Sequence, residues 1–474
     1  MSGEDPFPDT LSINAWTGTL LPATPIASTW RQWAVARHQQ IRAKLLAADE
    51  PVDLRDWWDE RVGWGLVMCD NDTLSESDRA AGADVPEELR PLLEKRKGSP
   101  ILRYRPETGG ESLRRYYTDR SAQSIMLSGS QRGTAPGRLP RYLLIYGSPT
   151  EVPWEFQYLS NGPCYTGRLD LTGQALSNYV TALIHNWGDA KVKSDQPVIW
   201  TVDKGQNDIT FLMRYLIAEP LRAVLDKDPQ VTGKVKHLAG QDATVDNLAT
   251  ALKKTDSPPA MIVSTSHGMT GPIDKPEVMG HDLGLLVDAN SQLVRPESLL
   301  DGWNPDGAIW YSHACCSAGS NSKTAYLGLV PKGSTVEKIL LAVAGLGAKL
   351  APFPRALLGA KRPLRAFVGH VEPTFDWTIR NPESKQPLTS TIVQALYNRM
   401  YRARPEPVGL AFSDMFTLVG QLFQQWSHAK DGALDADAAI RQRYREVALR
   451  TKLTALDREA CVILGDPTVG LPPV

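Results

Sequence analysis

The chain has 474 residues, 42% of them apolar, and carries a formal charge of −1 at pH 7. This length and apolar content predict a large buried core divided among about two to four structural units. The nearly balanced charge provides no field that would attract nucleic acid, and no long basic cluster also contains aromatic residues. We therefore expect a protein or peptide as the partner, and no nucleic acid.

The cysteines and the first residues indicate the compartment. Five cysteines in a chain of this length do not form a disulfide framework, and their odd number leaves at least one thiol free. The opening segment MSGEDPFPDT is acidic and lacks the charged-then-apolar pattern of a signal peptide, and no apolar run reaches the length of a membrane span. These features predict a cytoplasmic protein without membrane attachment.

Residues 1–138 form the least regular part of the sequence. Tryptophan-rich helical patches are predicted at residues 30–46 and 57–64, among polar, Gly-rich and Arg-rich stretches. Residues 127–137 (LSGSQRGTAPG) have the composition of a linker. We treat this stretch as an N-terminal region that is unassigned or regulatory.

Strands and helices alternate from residue 139 onward. Strands are predicted at residues 141–146, 197–202 and 234–239, and helices at 173–187, 208–225 and 245–254. Such alternation is typical of an α/β fold in which helices cover both faces of a mostly parallel sheet. In sheets of this kind, functional groups collect at the carboxyl ends of the strands.

Two apolar runs end in reactive side chains. Residues 261–268 (MIVSTSHG) end in His267 and Gly268, and residues 308–319 (AIWYSHACCSAG) carry Cys315, 48 positions after the histidine. A thiol with its ordinary pKa is mostly protonated at neutral pH, so a nucleophilic cysteine needs a nearby imidazole to take its proton. The pair therefore predicts a cysteine nucleophile with a histidine base, and the small residues beyond the thiol leave room for a peptide.

The remaining elements follow the same alternation. Residues 283–300 are predicted to form a β-hairpin with its turn at 288–290, which would supply one wall of a cleft. Beyond the cysteine, a helix is predicted at 334–350, a strand at 365–371, and helices at 388–401, 412–428 and 435–454. No short-period repeat occurs, so we expect no array of helical repeats.

At these residues the sequence resembles the caspase-like (clan CD) cysteine peptidases, and among them the bacterial CHAT and gingipain-like group. In caspases the histidine precedes the cysteine by roughly 50 residues. The segment ACCSAG at 314–319 follows the cysteine segment of the bacterial group, except that Ser317 replaces a glycine. Three further segments look like recurrent segments of that group, in the same order: 143–157 (LLIYGSPTEVPWEFQ), 365–377 (RAFVGHVEPTFDW) and 463–467 (ILGDP).

The resemblance implies an architecture and an activity. It implies a mostly parallel sheet flanked by helices and built as two tandem halves, with a non-catalytic half at residues 139–240 and a catalytic half with C-terminal helices at residues 241–474. It also implies a cysteine endopeptidase that cleaves a partner protein without a cofactor or a metal, in regulated proteolysis or bacterial defence. Such enzymes are commonly controlled by cleavage, dimerisation or an activating partner, and residues 1–138 are a candidate control element.

The implied mechanism gives each residue of the two segments a role. Cys315 attacks a peptide carbonyl to form a thioester, and His267 takes the thiol proton and later protonates the leaving amine. The N–H groups of Gly268 and Cys315 stabilise the oxyanion. Successive strand residues face opposite sides, so Cys316 would point away from the site, whereas His313 would share a face with Cys315 and is a rival base. The family pattern requires no third residue.

Further residues are weaker candidates for substrate binding. Asp282 and Asp288 lie in predicted loops near the cleft, where a buried carboxylate would select Arg or Lys before the scissile bond; solvated loop charges are the usual alternative. The substrate-binding set also includes His313 and His370. The resemblance places the strand around His370 near the cleft, although a hydrogen-bonded anchor is the more usual role for such a histidine.

Three other interpretations stay open. A degenerate member of the family could keep the fold as a non-cleaving scaffold or binding protein, which the departures at Cys316 and Ser317 favour. A cysteine acyltransferase could keep the dyad and exclude water. A zinc site is disfavoured, because structural zinc ligands usually come in pairs spaced by two to four residues and vicinal cysteines chelate one ion poorly; its ligands would be His267, His313, Cys315, Cys316 and His370.

Overall fold

A twelve-stranded sheet forms the centre of the molecule. The computed structural model describes residues 9–30, 33, 52–231, 233–253, 257–401 and 404–473. Within these residues the strands of the central sheet, numbered in chain order, are β1 Trp64–Cys69, β2 Ile101–Tyr104, β3 Ser112–Arg115, β4 Gln123–Met126, β5 Tyr142–Tyr146, β6 Tyr165–Leu169, β7 Val198–Thr201, β8 Lys236–Ala239, β9 Met261–Thr265, β10 Ile309–His313, β11 Ala366–His370 and β12 Cys461–Gly465.

Two groups of parallel strands meet at one antiparallel pair. From one edge the order is β8-β7-β9-β10-β11-β12-β6-β5-β1-β2-β3-β4. The first five strands of this order run parallel to one another, as do β12, β6, β5, β1 and β2, whereas β3 and β4 are antiparallel additions. In the antiparallel pair of β11 with β12, Ala366 stands opposite Gly465.

Helices flank this sheet. Every residue of β9, β10 and β11 is buried, which requires cover on both faces. The predicted mixed α/β fold with a mostly parallel sheet flanked by helices is therefore confirmed. The helices described are Glu76–Ala81, Arg90–Lys95, Trp154–Asn161, Gly173–Ile184, Ile209–Met213, Glu219–Leu225, Val245–Leu252, Pro276–Asp282, Pro296–Leu300, Thr335–Gly345, Pro352–Gly359, Ser390–Gln394, Val408–Ala411, Ser413–Gly432 and Ala438–Glu459.

The stretch before residue 138 contributes β1 to β4 to this sheet, which the sequence did not predict. Arginines in β2 and β3 hide the apolar alternation of a strand, and one of them, Arg103, is buried and pairs with Asp84 at 2.7 Å. The helical prediction for residues 57–64 is wrong, because turns lead there into β1. The helical prediction for residues 30–46 lies almost entirely outside the described residues.

Later elements match the predicted ones with local differences. The predicted helix at 208–225 is divided into Ile209–Met213, a π-helical segment Arg214–Ala218, and Glu219–Leu225. The predicted hairpin forms its turn, with Val287 bridged to Leu293, but its second arm ends as the helix Pro296–Leu300. Proline is favoured in the first turn of a helix, where its missing N–H costs nothing.

The sheet runs through both boundaries expected from the sequence. Strands β1 to β4 precede residue 138. Strands β7 and β8 precede residue 240, and β7 pairs with β8 on one side and, on the other, with β9 of the group that carries the candidate catalytic residues. The expected limits at residues 138 and 240 stay predictions, because strand pairing alone does not define a domain.

Candidate active site

The chain leaves two neighbouring parallel strands at the same edge of the sheet. Strands β9 and β10 pair so that Thr265 stands opposite His313. His267 opens a short strand, His267–Met269, just beyond β9, and Cys315 lies two residues beyond β10. The carboxyl ends of adjacent parallel strands bring the residues that follow them together. His267 and Cys315 therefore lie just beyond the carboxyl ends of two adjacent strands, on the same side of the sheet edge.

The backbones around these residues touch at Gly268. A Cβ atom on Gly268 would stand 1.9 Å from the carbonyl oxygen of Cys315 and 3.0 Å from its nitrogen. Real side chains do not tolerate such an approach, so only glycine fits between the histidine segment and the cysteine segment. A second glycine, Gly284, has φ of +70°, and a Cβ atom on it would stand 2.0 Å from the carbonyl oxygen of Cys316. Glycines thus pack both neighbouring segments against the cysteine loop.

Asp208 holds the imidazole of His267. The Nε2 atom of His267 lies 2.9 Å from Oδ2 of Asp208, and both side chains are buried. Burial alone would raise the pKa of Asp208, but the bonds from His267 and Thr210 outweigh it and hold that pKa below its ordinary value. The ionised carboxylate requires a proton on Nε2, so the network assigns this tautomer to the ring. The Nδ1 atom is buried and has no hydrogen-bond partner among the described residues.

Asp208 is not among the residues predicted from the sequence. It caps the helix Ile209–Met213, where its Oδ1 atom accepts the N–H of Thr210 at 2.9 Å and also the Thr210 hydroxyl. In the sequence, an aspartate before an apolar helix is an ordinary N-cap. Its second oxygen reaches His267, which lies 59 positions away. No local signal distinguishes such a residue from other caps.

The thiol of Cys315 is buried and faces a different environment from that of Cys316. The N–H of Thr374 donates to the Cys315 sulfur at 3.2 Å. Burial raises the pKa of the Cys315 thiol well above its ordinary value, and this N–H offsets only part of the rise. Cys316 has a left-handed backbone (φ 54°), and burial, then Cys315 and Glu372, raise the pKa of its thiol. Cys315 is therefore the thiol with a hydrogen-bond donor beside it.

His313 and His370 pack against each other in the interior. Their rings are 4.7 Å apart, and the Nδ1 atom of His313 lies 3.0 Å from the hydroxyl of Tyr311. Burial, followed by the charge of Arg458, lowers the pKa of His370 to about 3, and burial also lowers the pKa of His313. Within the described part of the chain, neither imidazole makes a hydrogen bond or a ring contact with Cys315 or His267. Their contacts are those of structural residues.

The carboxylates of Asp282 and Asp288 are already engaged. Asp282 ends the helix Pro276–Asp282 and binds Arg295 through both oxygens, at 2.8 and 3.1 Å. Asp288 accepts the N–H groups of Val245, Asn290 and Gln292 at 2.7 to 3.0 Å, which fixes the turn of the hairpin. Neither carboxylate is available for a basic substrate side chain in this structure.

Two of the segments that carry the resemblance form buried hydrogen bonds, and one of them contacts the residues that follow the cysteine. The indole N–H of Trp154 donates to the carbonyl of Ser320 at 2.9 Å, and the amide of Gln157 donates to the carbonyl of Ile463 at 3.0 Å. Asp466 accepts from Trp64 and Arg96, both at 3.0 Å, inside the core. The contacts of these residues are therefore with the core and with the segment beyond the cysteine, and none of these bonds is to His267 or Cys315.

One cavity among the described residues has a volume of about 610 Å³. Its walls include Trp57, Trp187 and Arg365, which precede β1, β7 and β11 in the chain. It contains none of the predicted site residues. Among the described residues, no group of three or more His, Cys, Asp or Glu side chains could hold a metal ion, and all five cysteines are free thiols. No described helix is both long enough and apolar enough to cross a bilayer.

Comparison with known proteins gives a weak structural likeness. No family model matches the sequence, and no curated protein matches it. A complex of the pro- and mature domains of Porphyromonas gingivalis RgpB is similar with a TM-score of 0.37 and 11% identity, over 72% of this chain and 67% of that one. A crystal structure of the Arg-specific cysteine proteinase gingipain R (RgpB) has a TM-score of 0.40 and 12% identity, over 72% and 66%. We assign no residue from this likeness.

Proposed function

We propose that this chain is a cysteine endopeptidase in which Cys315 is the nucleophile, His267 the general base and Asp208 the residue that positions the base. The observation that carries the proposal is the state of the His267 ring. Its Nε2 atom is held by Asp208, while its buried Nδ1 atom has no partner among the described residues and can accept a proton. The contact of Gly268 with Cys315 supports the same pairing.

The proposed reaction has two steps. The sulfur of Cys315 attacks the peptide carbonyl carbon while His267 takes the thiol proton, and the N–H groups of Gly268 and Cys315 stabilise the oxyanion. The carbon–nitrogen bond then breaks, His267 protonates the departing amine, and a thioester remains. Water, deprotonated by His267, hydrolyses the thioester and restores the thiol. Asp208 stabilises the imidazolium that forms in each step.

A non-cleaving scaffold is the second candidate. The observation that favours it is the full burial of the Cys315 thiol, which raises the pKa of that thiol and works against thiolate formation. A scaffold of this kind would bind a protein or peptide beside His267 and Cys315 without cutting it.

The test compares four proteins: wild type, Cys315→Ala, His267→Ala and Cys316→Ala. Each is incubated with a mixture of unfolded proteins, new N-termini are identified by mass spectrometry, and a peptidyl chloromethyl ketone is used to label the reactive thiol. We expect cleavage and labelling at Cys315 in the wild type and in Cys316→Ala once residues 10–17 are displaced from it, and neither in the other two. Ligated instead of hydrolysed products would make the chain an acyltransferase. Absence of cleavage both in the wild type and in a variant whose residues 10–17 are displaced from Cys315 would overturn the peptidase proposal.

A further inference from the structure

Residues 10–17 lie in an extended conformation across the cysteine and histidine segments. On one side they run antiparallel to residues 374–376, with Ile13 bridged to Phe375. Asn14 donates its N–H to the carbonyl of Thr374 at 2.9 Å. The backbone of Ser12 exchanges hydrogen bonds with Asp376: its N–H donates to Oδ1, and its carbonyl accepts the Asp376 N–H, both at 3.2 Å. These bonds attach the segment next to Thr374, whose own N–H contacts the thiol.

On the other side the segment adds a strand to the histidine segment. Ala15 pairs with Gly268 and Trp16 with Met269, in parallel, and Thr270 donates its N–H to the carbonyl of Trp16 at 2.8 Å. Together with Leu286–Val287, this makes a three-stranded sheet whose middle strand begins at His267. Addition of a strand to an open edge is a common way for a protein to bind an extended peptide.

The register of this ladder aligns Asn14 with the reacting groups. In a parallel ladder with these pairs, and with the bond from Thr270 to Trp16, the Gly268 N–H faces the carbonyl of Asn14. This N–H is one of the two proposed oxyanion donors. The backbone N–H of Asn14 also acts to lower the pKa of the Cys315 thiol, as does that of Thr374, although burial outweighs both. The carbonyl of Asn14 thus faces one of the two N–H groups that the proposed reaction uses for the carbonyl of a substrate.

The indole ring of Trp16 lies beside the imidazole ring of His267. The Trp16 ring lies 5.6 Å from the His267 ring, and the ammonium group of Lys204 lies 5.1 Å from the centroid of a Trp16 ring. With the segment in place, His267 is only 1% exposed and Cys315 is 0% exposed. A second peptide cannot reach these residues without displacing residues 10–17.

We infer that residues 10–17 occupy the peptide groove as a substrate would, with Asn14 immediately before the bond presented to Cys315, and that they block the site until they are displaced. This inference rests on the proposed function. An intramolecular blocker acts at an effective concentration in the millimolar range, so a substrate supplied from outside competes poorly with it. Displacement, by a partner or by cleavage in the loop beyond Gly18, is the step that starts activity.

Residues 10–17 are not hydrolysed in this position, because no water reaches the thiol. Attack by Cys315 on the Asn14 carbonyl would form a thioester and release the amine of Ala15. The residue Ala15 would remain paired with Gly268, next to the thioester, so its amine could re-form the peptide bond. Hydrolysis would need a water molecule at Cys315, which is fully buried. The segment therefore acts as an inhibitor rather than as a substrate that is used up.

The surroundings of Asn14 indicate which side chain the groove accepts at this position. The Asn14 side chain is fully buried, and its Nδ2 atom donates to the sulfur of Met213 at 3.4 Å. Met213 ends the helix that Asp208 caps, so one helix positions the base and lines the pocket. Complete burial next to an uncharged thioether suits a side chain without charge. It offers no carboxylate bond to Asn14, so it would not select Arg or Lys.

The first test uses substitutions that should displace residues 10–17 from beside Cys315 and His267. In Ile13→Asp/Ala15→Asp, two carboxylates replace buried residues of the segment, and their desolvation cost expels it. The matched control, Thr10→Asp/Thr19→Asp, adds the same charge at two exposed positions, one in the segment and one just beyond its end. We expect alkylation of Cys315 by iodoacetamide to be at least about 100-fold faster than in the wild type for the first variant, and within about twofold for the control. Circular dichroism and thermal unfolding establish that both variants are folded.

A second variant avoids any dependence on the folding of the first. A recognition sequence for a specific protease is inserted between Gly18 and Leu21, where Leu20 is 52% exposed, and the rate of alkylation is compared before and after the cut. An unchanged rate in both the substituted and the cut protein, with Cys315 still reactive after denaturation, would overturn the inference. Faster alkylation without peptide cleavage would uphold the inference and refute the peptidase proposal, so the two are separable.

A free peptide tests the register. A peptide with the sequence of residues 9–18 is expected to slow alkylation of the emptied variant, and the same peptide with Asn14→Lys is expected to be at least about tenfold weaker, because it would bury an unpaired charge. The control peptide with Thr10→Lys should match the parent, because Thr10 is exposed. Equal potency of the Asn14→Lys peptide would refute the placement of Asn14.

Discussion

The bond between Asp208 and His267 makes a quantitative prediction about thiol reactivity. In Asp208→Asn the side chain keeps its shape, but an amide replaces the carboxylate that accepts from Nε2 at 2.9 Å. A hydrogen bond from a cation to a carboxylate contributes about 1.5–3 kcal/mol, and one pKa unit corresponds to 1.36 kcal/mol. Loss of this stabilisation of the imidazolium should therefore raise the apparent pKa of the Cys315 thiol by about 1–2 units.

The assay is the rate of alkylation of Cys315 by iodoacetamide as a function of pH, in the Ile13→Asp/Ala15→Asp background, where the thiol is reachable. The midpoint should move to higher pH in Asp208→Asn, and the cleavage rate at neutral pH should fall by at least about tenfold. Asp203→Asn is the control, because the Asp203 carboxylate binds Arg214 at 3.0 Å rather than His267. An unchanged midpoint in Asp208→Asn would refute a positioning role for Asp208.

Three further outcomes are expected. Gly268→Ala should lose about 3 kcal/mol of stability or fail to fold, because its Cβ would stand 1.9 Å from the Cys315 carbonyl oxygen. The control is Gly345→Ala, whose Cβ would have nothing within 4 Å, so this variant should unfold at the wild-type temperature or slightly above. Equal losses of stability in the two variants would contradict the close contact at Gly268. Burial raises the pKa of Glu372 from 4.5 to about 8, so the folded protein binds this proton more tightly than the unfolded chain; that stabilisation is complete below about pH 4.5 and is lost as the pH rises to 8. In Glu372→Gln the free energy of unfolding should no longer fall over this pH range; in the wild type this fall amounts to at most about 5 kcal/mol. If the unfolding temperature of the variant depended on pH as it does in the wild type, the assignment to Glu372 would be wrong. Cys316→Ser should leave the rate of Cys315 alkylation within about twofold in the emptied background, because the two thiols face different surroundings, and a large loss would reopen the choice of nucleophile.

The sequence predicted the parts of this protein whose signals are local. The runs that became β9 and β10 are apolar, β-branched and followed by small residues, so their type and the position of His267 and Cys315 beyond their ends follow from a few neighbouring residues. Alternation of strands and helices after residue 139 likewise predicted the parallel sheet. Each of these signals lies within about ten residues.

Contacts between distant segments could not be predicted in the same way. Asp208 reads as an ordinary helix cap, and only the folded chain brings its second oxygen to His267. The segment around Asn14 has no unusual composition, yet it pairs with Gly268 from a remote part of the chain. In β3, adjacent arginines conceal the strand, because they are only half-buried near one edge of the sheet. Register and pairing between remote segments are properties of the whole fold.

The location of β12 has a consequence for biosynthesis. This strand is made after all the other described strands, yet it lies between β11 and β6. Until Cys461–Gly465 emerges from the ribosome, both of those neighbours present open edges in the middle of the sheet rather than at its rim, and such edges recruit wrong partners. A chain interrupted before residue 461 would lose the seam that joins the two parallel groups. Residue 465 must therefore be synthesised before β11, the neighbour of β10, can pair along its second edge.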